Sequence, residues 1–131
     1  SDSPKTPAEQ LLGADDAQLV QERGEGVATE YEYEGKTLIM QRRYDEGIFG
    51  LDAYAEYMYS DAQHVNQIVF TFEDASLEQV LDAATQNLGE PKQKNDQTAD
   101  LDFMVLWEKG NVTYTLRTIP NAGIYLLIES K

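Results

Sequence analysis

The stretch that decides the fold runs from Ile68 to Pro91 and reads IVFTFEDASLEQVLDAATQNLGEP. It opens with a strand pattern, in which every second side chain shares one face of a pleated sheet: Ile68, Phe70 and Phe72. The apolar period then becomes that of a helix, with a single apolar stripe: Leu77, Val80, Leu81, Ala84 and Leu88. We therefore predict a strand that leads directly into an amphipathic helix, which must lie back on a sheet.

The ends of this predicted helix have clear sequence signals. Ser76 can accept a hydrogen bond from the backbone of Gln79, whose side chain can return one, as in a capping box. Gly89 allows the left-handed backbone that ends many helices, and Pro91 prevents the helix from resuming.

Two shorter helices are predicted nearer the start of the chain. Thr6 can cap the first, with proline at the first helical position and Glu9 at the third. Asp15 can cap the second, with Gln18 in the capping-box position, and this helix should end before Gly24. The polar segment 1–6 is predicted to be a flexible tether.

Strands are predicted from alternating apolar patterns near residues 30–34, 36–43, 49–59, 68–72, 103–107, 112–116 and 124–128. Short turns at residues 34–35, 45–47, 109–111 and 120–123 indicate antiparallel pairing, and the polar segment 92–100 is predicted to be a loop. We predict an α+β fold with a single antiparallel sheet of six to seven strands and helices on one face.

A faint internal repeat suggests how this fold is organised. Two segments, 13–26 and 72–91, each run from an acidic cap through a helix to a Gly-Glu stop and then into strands. The prediction is one domain over residues 7–131, with a tandem helix-plus-three-strand repeat divided near residue 74. Two separate small modules with the same boundary are the alternative.

The net charge and the absence of cysteine disfavour several classes of partner and exclude several kinds of site. Twenty-four acids and ten bases give a net charge of −14, which disfavours nucleic acid and anionic membranes as partners and suits a basic partner. The absence of cysteine excludes disulfides, thiolate catalysis and cysteine metal sites. No apolar run reaches the ~18 residues of a membrane span, so we expect membrane attachment only through a lipid anchor upstream of Ser1.

Catalytic and metal-binding candidates are weak. His64 is the only histidine, so familiar triads and zinc sites lack their residues. The acid pairs 15–16 and 45–46 suit a helix cap and a turn. The acidic segment 95–102 lacks the glycine and glutamate of a calcium loop. We predict a protein that is not an enzyme and needs no cofactor or metal.

The sheet face opposite the helices is the candidate binding site. Strand alternation places tyrosine, methionine, arginine and aliphatic side chains on it: Tyr54, Met58, Val69, Leu106, Arg117, Tyr125 and Leu127. A sheet face exposed to water should be more polar, and this composition is typical of protein interfaces. Coverage by a second subunit or another element, or ordinary strand propensity, would also explain it. We call this surface the open face.

The order of elements resembles a known family arrangement. A helix that ends in Leu88-Gly89-Glu90-Pro91, a polar loop, a strand with Trp107 and two further strands resemble the β-lactamase-inhibitor-protein-like repeat fold, which small outer-membrane-assembly lipoproteins share. The resemblance implies a curved antiparallel sheet with an open face that grips a protein. Independently of the resemblance, the predicted packing of the helices on one sheet face should bury Trp107 beside Leu81 or Leu88.

These observations predict a non-catalytic, extracytoplasmic binding module that recognises a protein or peptide through the open face. The alternative is a structural domain of a bacterial surface lipoprotein, in which the same face joins two copies as a homodimer.

Overall fold

The computed structural model describes residues 6–95, 103–119 and 123–131. Within these ranges the chain forms a short 3₁₀ helix, two α-helices and eight strands: the 3₁₀ helix Ala8–Leu11, α1 Asp16–Arg23, β1 Val27–Tyr33, β2 Lys36–Asp45, β3 Tyr54–Tyr59, β4 Val65–Phe72, α2 Leu77–Leu88, β5 Gln93–Asn95, β6 Met104–Lys109, β7 Val112–Ile119 and β8 Gly123–Ser130. The predicted tether, apart from Thr6, lies outside the described residues, as do most of the predicted loop and turn at residues 96–102 and 120–122.

The eight strands form one antiparallel sheet in the order β1-β2-β3-β4-β8-β7-β6-β5. The prediction of an α+β fold with a single antiparallel sheet is confirmed, but the predicted count of six to seven strands is too low. The additional strand is β5, in the segment predicted as a loop, where Lys94 pairs with Val105 of β6. This short polar strand has no apolar alternation, and its pairing depends on the backbone of β6 rather than on its own side chains.

The two halves of the chain follow the same plan. In each half an α-helix is followed by four strands that pair in sequence, and β4 and β8 join the halves by antiparallel pairing at the centre of the sheet. The sequence predicted three strands in each unit, whereas the structure has four. The fourth strand of the first half is β4. The sequence predicted this strand at the end of the first unit, just before the boundary near residue 74.

One face of the sheet carries the core. Directly paired residues of five neighbouring strands are all buried there: Tyr57, Ile68, Ile128, Tyr114 and Trp107. Leu19 of α1 and the stripe Val80, Ala84 and Leu88 of α2 belong to the same core. Trp107 is 1% exposed, as predicted, and its indole Nε1 donates to the carbonyl of Gly89, next to Leu88, at 2.8 Å.

Two of the three predicted helix starts are confirmed. Asp15 with Gln18 and Ser76 with Gln79 each form the complete capping box. Thr6 does not cap a helix. Its hydroxyl instead donates to Glu22 at 2.7 Å, and the following segment forms only a 3₁₀ turn without a side-chain cap.

The long strand predicted over residues 49–59 is shorter in the structure. Only Tyr54–Tyr59 is a strand, because the chain turns back on itself just before it. Phe49 and Gly50 have φ angles of 57° and 79°, and the amide and carbonyl groups of Ile48 and Leu51 exchange two hydrogen bonds. Apolar alternation alone does not reveal such a turn, since these residues also pack partly against the core.

Candidate binding face

The register of the sheet places all the predicted site residues on one face, opposite the core. One row across the strands runs through Tyr54, Thr71, Tyr125 and Arg117. The next row runs through Val69, Leu127, Thr115 and Leu106, and Met58 lies in a third row beside Gln67. Strand alternation and antiparallel pairing therefore bring the predicted residues together as one continuous surface, as the sequence indicated.

The accessibility of this surface is uneven. Arg117 is exposed, and the other predicted site residues are half-buried by their neighbours: Tyr54, Met58, Val69, Leu106, Tyr125 and Leu127. Thr71, between the two tyrosines of its row, is only 3% exposed, and its hydroxyl has no hydrogen-bond partner within the described structure. The face thus has an apolar and aromatic centre with the exposed Arg117 guanidinium at one side.

Arg43 is a residue of this face that the sequence analysis missed. Its guanidinium carbon lies 3.9 Å from the centroid of the Tyr54 ring, within the range of a cation–π contact. The pairing of Arg43 with Glu56, and of Glu56 with Val69, places Arg43 beside the predicted aliphatic row. The alternation of β2 could have indicated its orientation, but only the register with β3 shows that it reaches Tyr54.

The third row is acidic. Gln67 donates to Glu129 at 3.1 Å, and Glu108 lies farther along the same row. Lys92 and Lys131 contact the Glu108 carboxylate at 2.8 and 3.1 Å. Hydrogen bonds from these lysines, Lys92 first, hold the pKa of Glu108 below its ordinary value. The charge at this end of the face is therefore partly neutralised by the protein itself.

The acids considered as catalytic candidates have structural partners. Asp15 caps α1, and Asp16 binds the Arg42 guanidinium at 2.7 and 3.0 Å and also accepts from Tyr59. The hydrogen bond from Arg42 is the main cause of the lowered pKa of Asp16. His64 is exposed and its Nδ1 lies 3.0 Å from the carbonyl of Gly13.

Glu46 belongs to a buried cluster that the sequence did not reveal. Arg23 Nε donates to Glu46 at 3.0 Å, and both side chains are 5% exposed. The Tyr57 hydroxyl also donates to this carboxylate, whose oxygens lie 2.8 and 2.9 Å away. A cleft of about 720 Å³ lies beside the cluster, with walls from residues 6–9 and 44–52. Within the described parts of the chain, no group of three acidic or histidine side chains is placed to hold a metal ion.

Comparison with known proteins identifies two solved structures with a similar fold. No family model and no curated protein match the chain. A DUF4309 family protein, YjgB, from Bacillus subtilis subsp. subtilis str. 168 is similar in structure, with a TM-score of 0.55 and 9% identity over 96% of this chain and 87% of that one. An extracellular protein containing a SCP domain, from Bacillus anthracis str. Ames, has a TM-score of 0.54 and 10% identity. The match covers 100% of this chain and 48% of that protein.

At these identities the comparisons establish a shared fold. Neither neighbour is described as a β-lactamase inhibitor or an outer-membrane-assembly lipoprotein, so the resemblance to that repeat family stays a prediction. No α-helix in the described residues is both long and apolar enough to span a bilayer.

Proposed function

We propose that this protein is a non-catalytic, extracytoplasmic binding module that recognises a protein or peptide through its open face. The observation that carries the proposal is the convergence of Tyr54, Tyr125 and Arg117 in one row, with an aliphatic row beside them. Tyrosine and arginine provide large contact areas with few rotatable bonds, and they are enriched among the residues that dominate binding energy at interfaces.

The extracytoplasmic setting has two supporting observations. The chain has no cysteine, which fits an oxidising environment without requiring one, and one structural neighbour is described as an extracellular protein. A lipid anchor upstream of Ser1 would tether the domain to a membrane. The sequence of the full-length precursor tests this part of the proposal, which fails if no signal segment or attachment cysteine is found.

If the open face is the binding surface, removing its tyrosines should lower the affinity for a partner. Replacing both Tyr54 and Tyr125 by alanine should weaken a complex by on the order of 2 kcal/mol for each dominant contact removed. Neither tyrosine is part of the buried core, so the melting temperature should change little. The experiment is a selection of displayed peptides against the wild-type domain, followed by affinity measurements on the best binders.

The control is Thr85→Ala, which shortens a half-buried side chain of α2, on the core side of the sheet and away from both β1 and the open face. Equal affinity of the wild type and the double variant for every selected peptide would contradict the proposal. Light scattering at micromolar concentration tests the alternative of self-association. A dimer that the double variant dissociates would assign the same face to a homodimer instead.

A further inference from the structure

The outer edge of β1 is a second candidate interaction surface, distinct from the open face. β1 lies at one end of the sheet and pairs only with β2 among the described strands. Unlike the central strands, it is exposed along almost its whole length, with only Tyr31 half-buried. A strand edge of this kind presents unpaired backbone N–H and C=O groups, which can pair with an added strand.

The hairpin geometry indicates which backbone groups are free. β1 and β2 are joined by Glu34 and Gly35, whose φ angles of 51° and 79° fit the two-residue turn that tight hairpins favour. Tyr33, which flanks this turn, pairs with Lys36, and hydrogen-bonded and non-hydrogen-bonded pairs alternate along an antiparallel ladder. The backbone groups of Tyr31 and Tyr33 thus bond to β2, whereas those of Glu30 and Glu32 point to the free edge.

Exposed apolar side chains are concentrated on this hairpin. Val27, Tyr33 and Met40 are 68%, 59% and 45% exposed, and they account for three of the four most exposed large apolar side chains in the described structure. Met40 lies at an irregularity in the pairing, since Thr29 pairs with Gln41 and the next residue with Ile39. The edge therefore offers apolar contacts in addition to backbone pairing.

The negative charge of the β1 edge favours a basic partner over a second copy of β1. Glutamates occupy positions 25, 30, 32 and 34. The nearby Arg42 is engaged by Asp16 and by the carbonyl of Glu25 at 2.7 Å, and Arg43 is stacked on Tyr54. Two copies of β1 paired with each other would place glutamates near glutamates, which destabilises a strand pair. A basic strand would instead place its cations beside Glu30 and Glu32.

We propose that the free edge of β1 accepts an extended basic peptide segment, which adds to the sheet as a further strand. Lysine or arginine at alternate positions would contact the glutamates on one side of β1. The residues between them would contact Tyr31 and Tyr33 on the other side. Tyr31 and Tyr33 lie on the same side of the sheet as the open face, since Val27 pairs with Arg43, but β2 separates β1 from Tyr54 on β3. Variants at Glu32 and at Tyr54 with Tyr125 can therefore test the two surfaces separately.

The probe is a fluorescein-labelled octapeptide that alternates lysine and valine, with binding measured by fluorescence polarisation. Two control peptides distinguish backbone pairing from simple charge attraction. One alternates glutamate and valine. The other is the lysine peptide methylated on the backbone nitrogens of its lysines, the residues that would lie opposite Glu30 and Glu32, so it keeps the charge but cannot complete antiparallel backbone pairing. Only the unmodified lysine peptide should bind with high affinity. Equal binding of the N-methylated peptide would show general attraction to an acidic protein and would overturn the proposal.

Three variants locate the interaction on β1. Glu32→Pro removes an outward N–H that β2 does not use, so roughly tenfold weaker binding is expected while the fold is kept. Glu32→Gln removes the charge alone and should weaken binding by a smaller factor with a reduced salt dependence. Glu90→Gln, in which an exposed acid beyond α2 is lost, should bind like the wild type.

The outcomes are distinguishable. Unchanged binding by Glu32→Pro, confirmed as folded by circular dichroism, would overturn the edge assignment. If that variant unfolds, the N-methylated peptide and Glu32→Gln still decide the question. Binding that is lost in the Tyr54→Ala and Tyr125→Ala variant would place the peptide on the open face instead. A stable dimer of the wild-type chain that Glu32→Pro dissociates would mean that β1 pairs with itself.

Discussion

At the scale of single residues, the buried cluster of Arg23, Glu46 and Tyr57 is held together by the Glu46 carboxylate. The sequence predicted Glu46 only as a turn residue. The Tyr57 hydroxyl lies in the core, and burial is the main cause of its raised pKa. Arg23 also donates to the carbonyl of Thr6 at 2.5 Å, which ties the start of the described chain to α1. This cluster fixes the position of α1 relative to the strands below it.

Removing Glu46 should therefore be costly. Glu46→Ala leaves the buried Arg23 guanidinium without its carboxylate, and such a change typically costs about 3–5 kcal/mol of unfolding free energy. Urea denaturation followed by circular dichroism measures the loss. Lys131→Ala breaks an ion pair whose lysine is half exposed, and by comparison should have little effect on the unfolding free energy. Similar losses of unfolding free energy in the two variants would show that the buried cluster stabilises the fold no more than an exposed ion pair does.

Gly26 is a second residue with a large expected effect. Its φ is 57°, and an added Cβ would meet the carbonyl oxygen of Arg43 at 2.5 Å and the Tyr44 ring at 2.6 Å. Gly35 has a φ of 79° but open space around it. Gly35→Ala should thus cost only the left-handed strain of about 1–2 kcal/mol, whereas Gly26→Ala should cost more because the backbone must also shift. Thermal unfolding of both variants gives the comparison.

The Asp16–Arg42 pair predicts a pH dependence. The pKa of Asp16 is lowered from 3.8 in the folded protein, mainly by the hydrogen bond from Arg42. A depressed carboxyl pKa stabilises the fold above the unfolded value, and this contribution is lost as the pH falls through the folded value. The stability difference between the wild type and Asp16→Asn should therefore be present at pH 7 and shrink below pH 3.8. Urea midpoints at several pH values test this, and a difference that grows on acidification would contradict it.

At the scale of secondary structure elements, the capping boxes of both α-helices could be predicted from the sequence. The Ser76 hydroxyl accepts from the Gln79 amide at 3.2 Å, and the Gln79 side chain accepts from the Ser76 amide at 2.8 Å. Ser76→Ala should lower the unfolding free energy by about 1 kcal/mol. Ser60→Ala is the control, because its hydroxyl has only a 3.5 Å contact with the His64 amide. A loss in the control as large as in Ser76→Ala would argue against capping as the cause.

The elements that the sequence missed are those whose structure depends on distant partners. β5 is stabilised by the edge of β6, and its polar side chains leave no local pattern. The turn at Phe49 interrupts an apolar alternation that is otherwise typical of a strand. The helix expected after Thr6 is reduced to a 3₁₀ turn because the threonine hydroxyl binds Glu22 instead of the following backbone. The apolar periodicity of a short segment does not indicate contacts with residues that are distant in the sequence.

At the scale of the whole molecule, the orientation of the predicted binding residues was easier to predict than the contacts between strands. All the predicted binding residues share one face because alternation fixes orientation on each strand, whatever the strand order. The contact between Arg43 and Tyr54 needed the register of β2 with β3, and the exposed edge of β1 needed the complete strand order. Both depend on long-range pairing, which a pattern within one strand does not specify.

The pairing of β4 with β8 predicts that the two halves unfold together. Leu19→Ala in α1 removes a fully buried side chain, and such a change typically costs about 2–5 kcal/mol. Trp107, the single tryptophan, lies in the other half of the sheet and reports unfolding by its fluorescence. Its urea transition should shift to lower concentration together with that of circular dichroism. An unshifted fluorescence transition would instead support two independent modules.

The central position of β8 also bears on how the chain folds during synthesis. β8 is the last strand of the sheet to leave the ribosome, yet it lies between β4 and β7. The first half can form its hairpins earlier, but the β4 edge, with Ile68 and Phe70 on its apolar side, has no partner until β8 arrives. Strand pairing over so long a separation is slow, and an unpaired apolar edge promotes aggregation. A chain in which β8 has not yet paired therefore exposes the β4 edge and is prone to aggregation at this stage of folding.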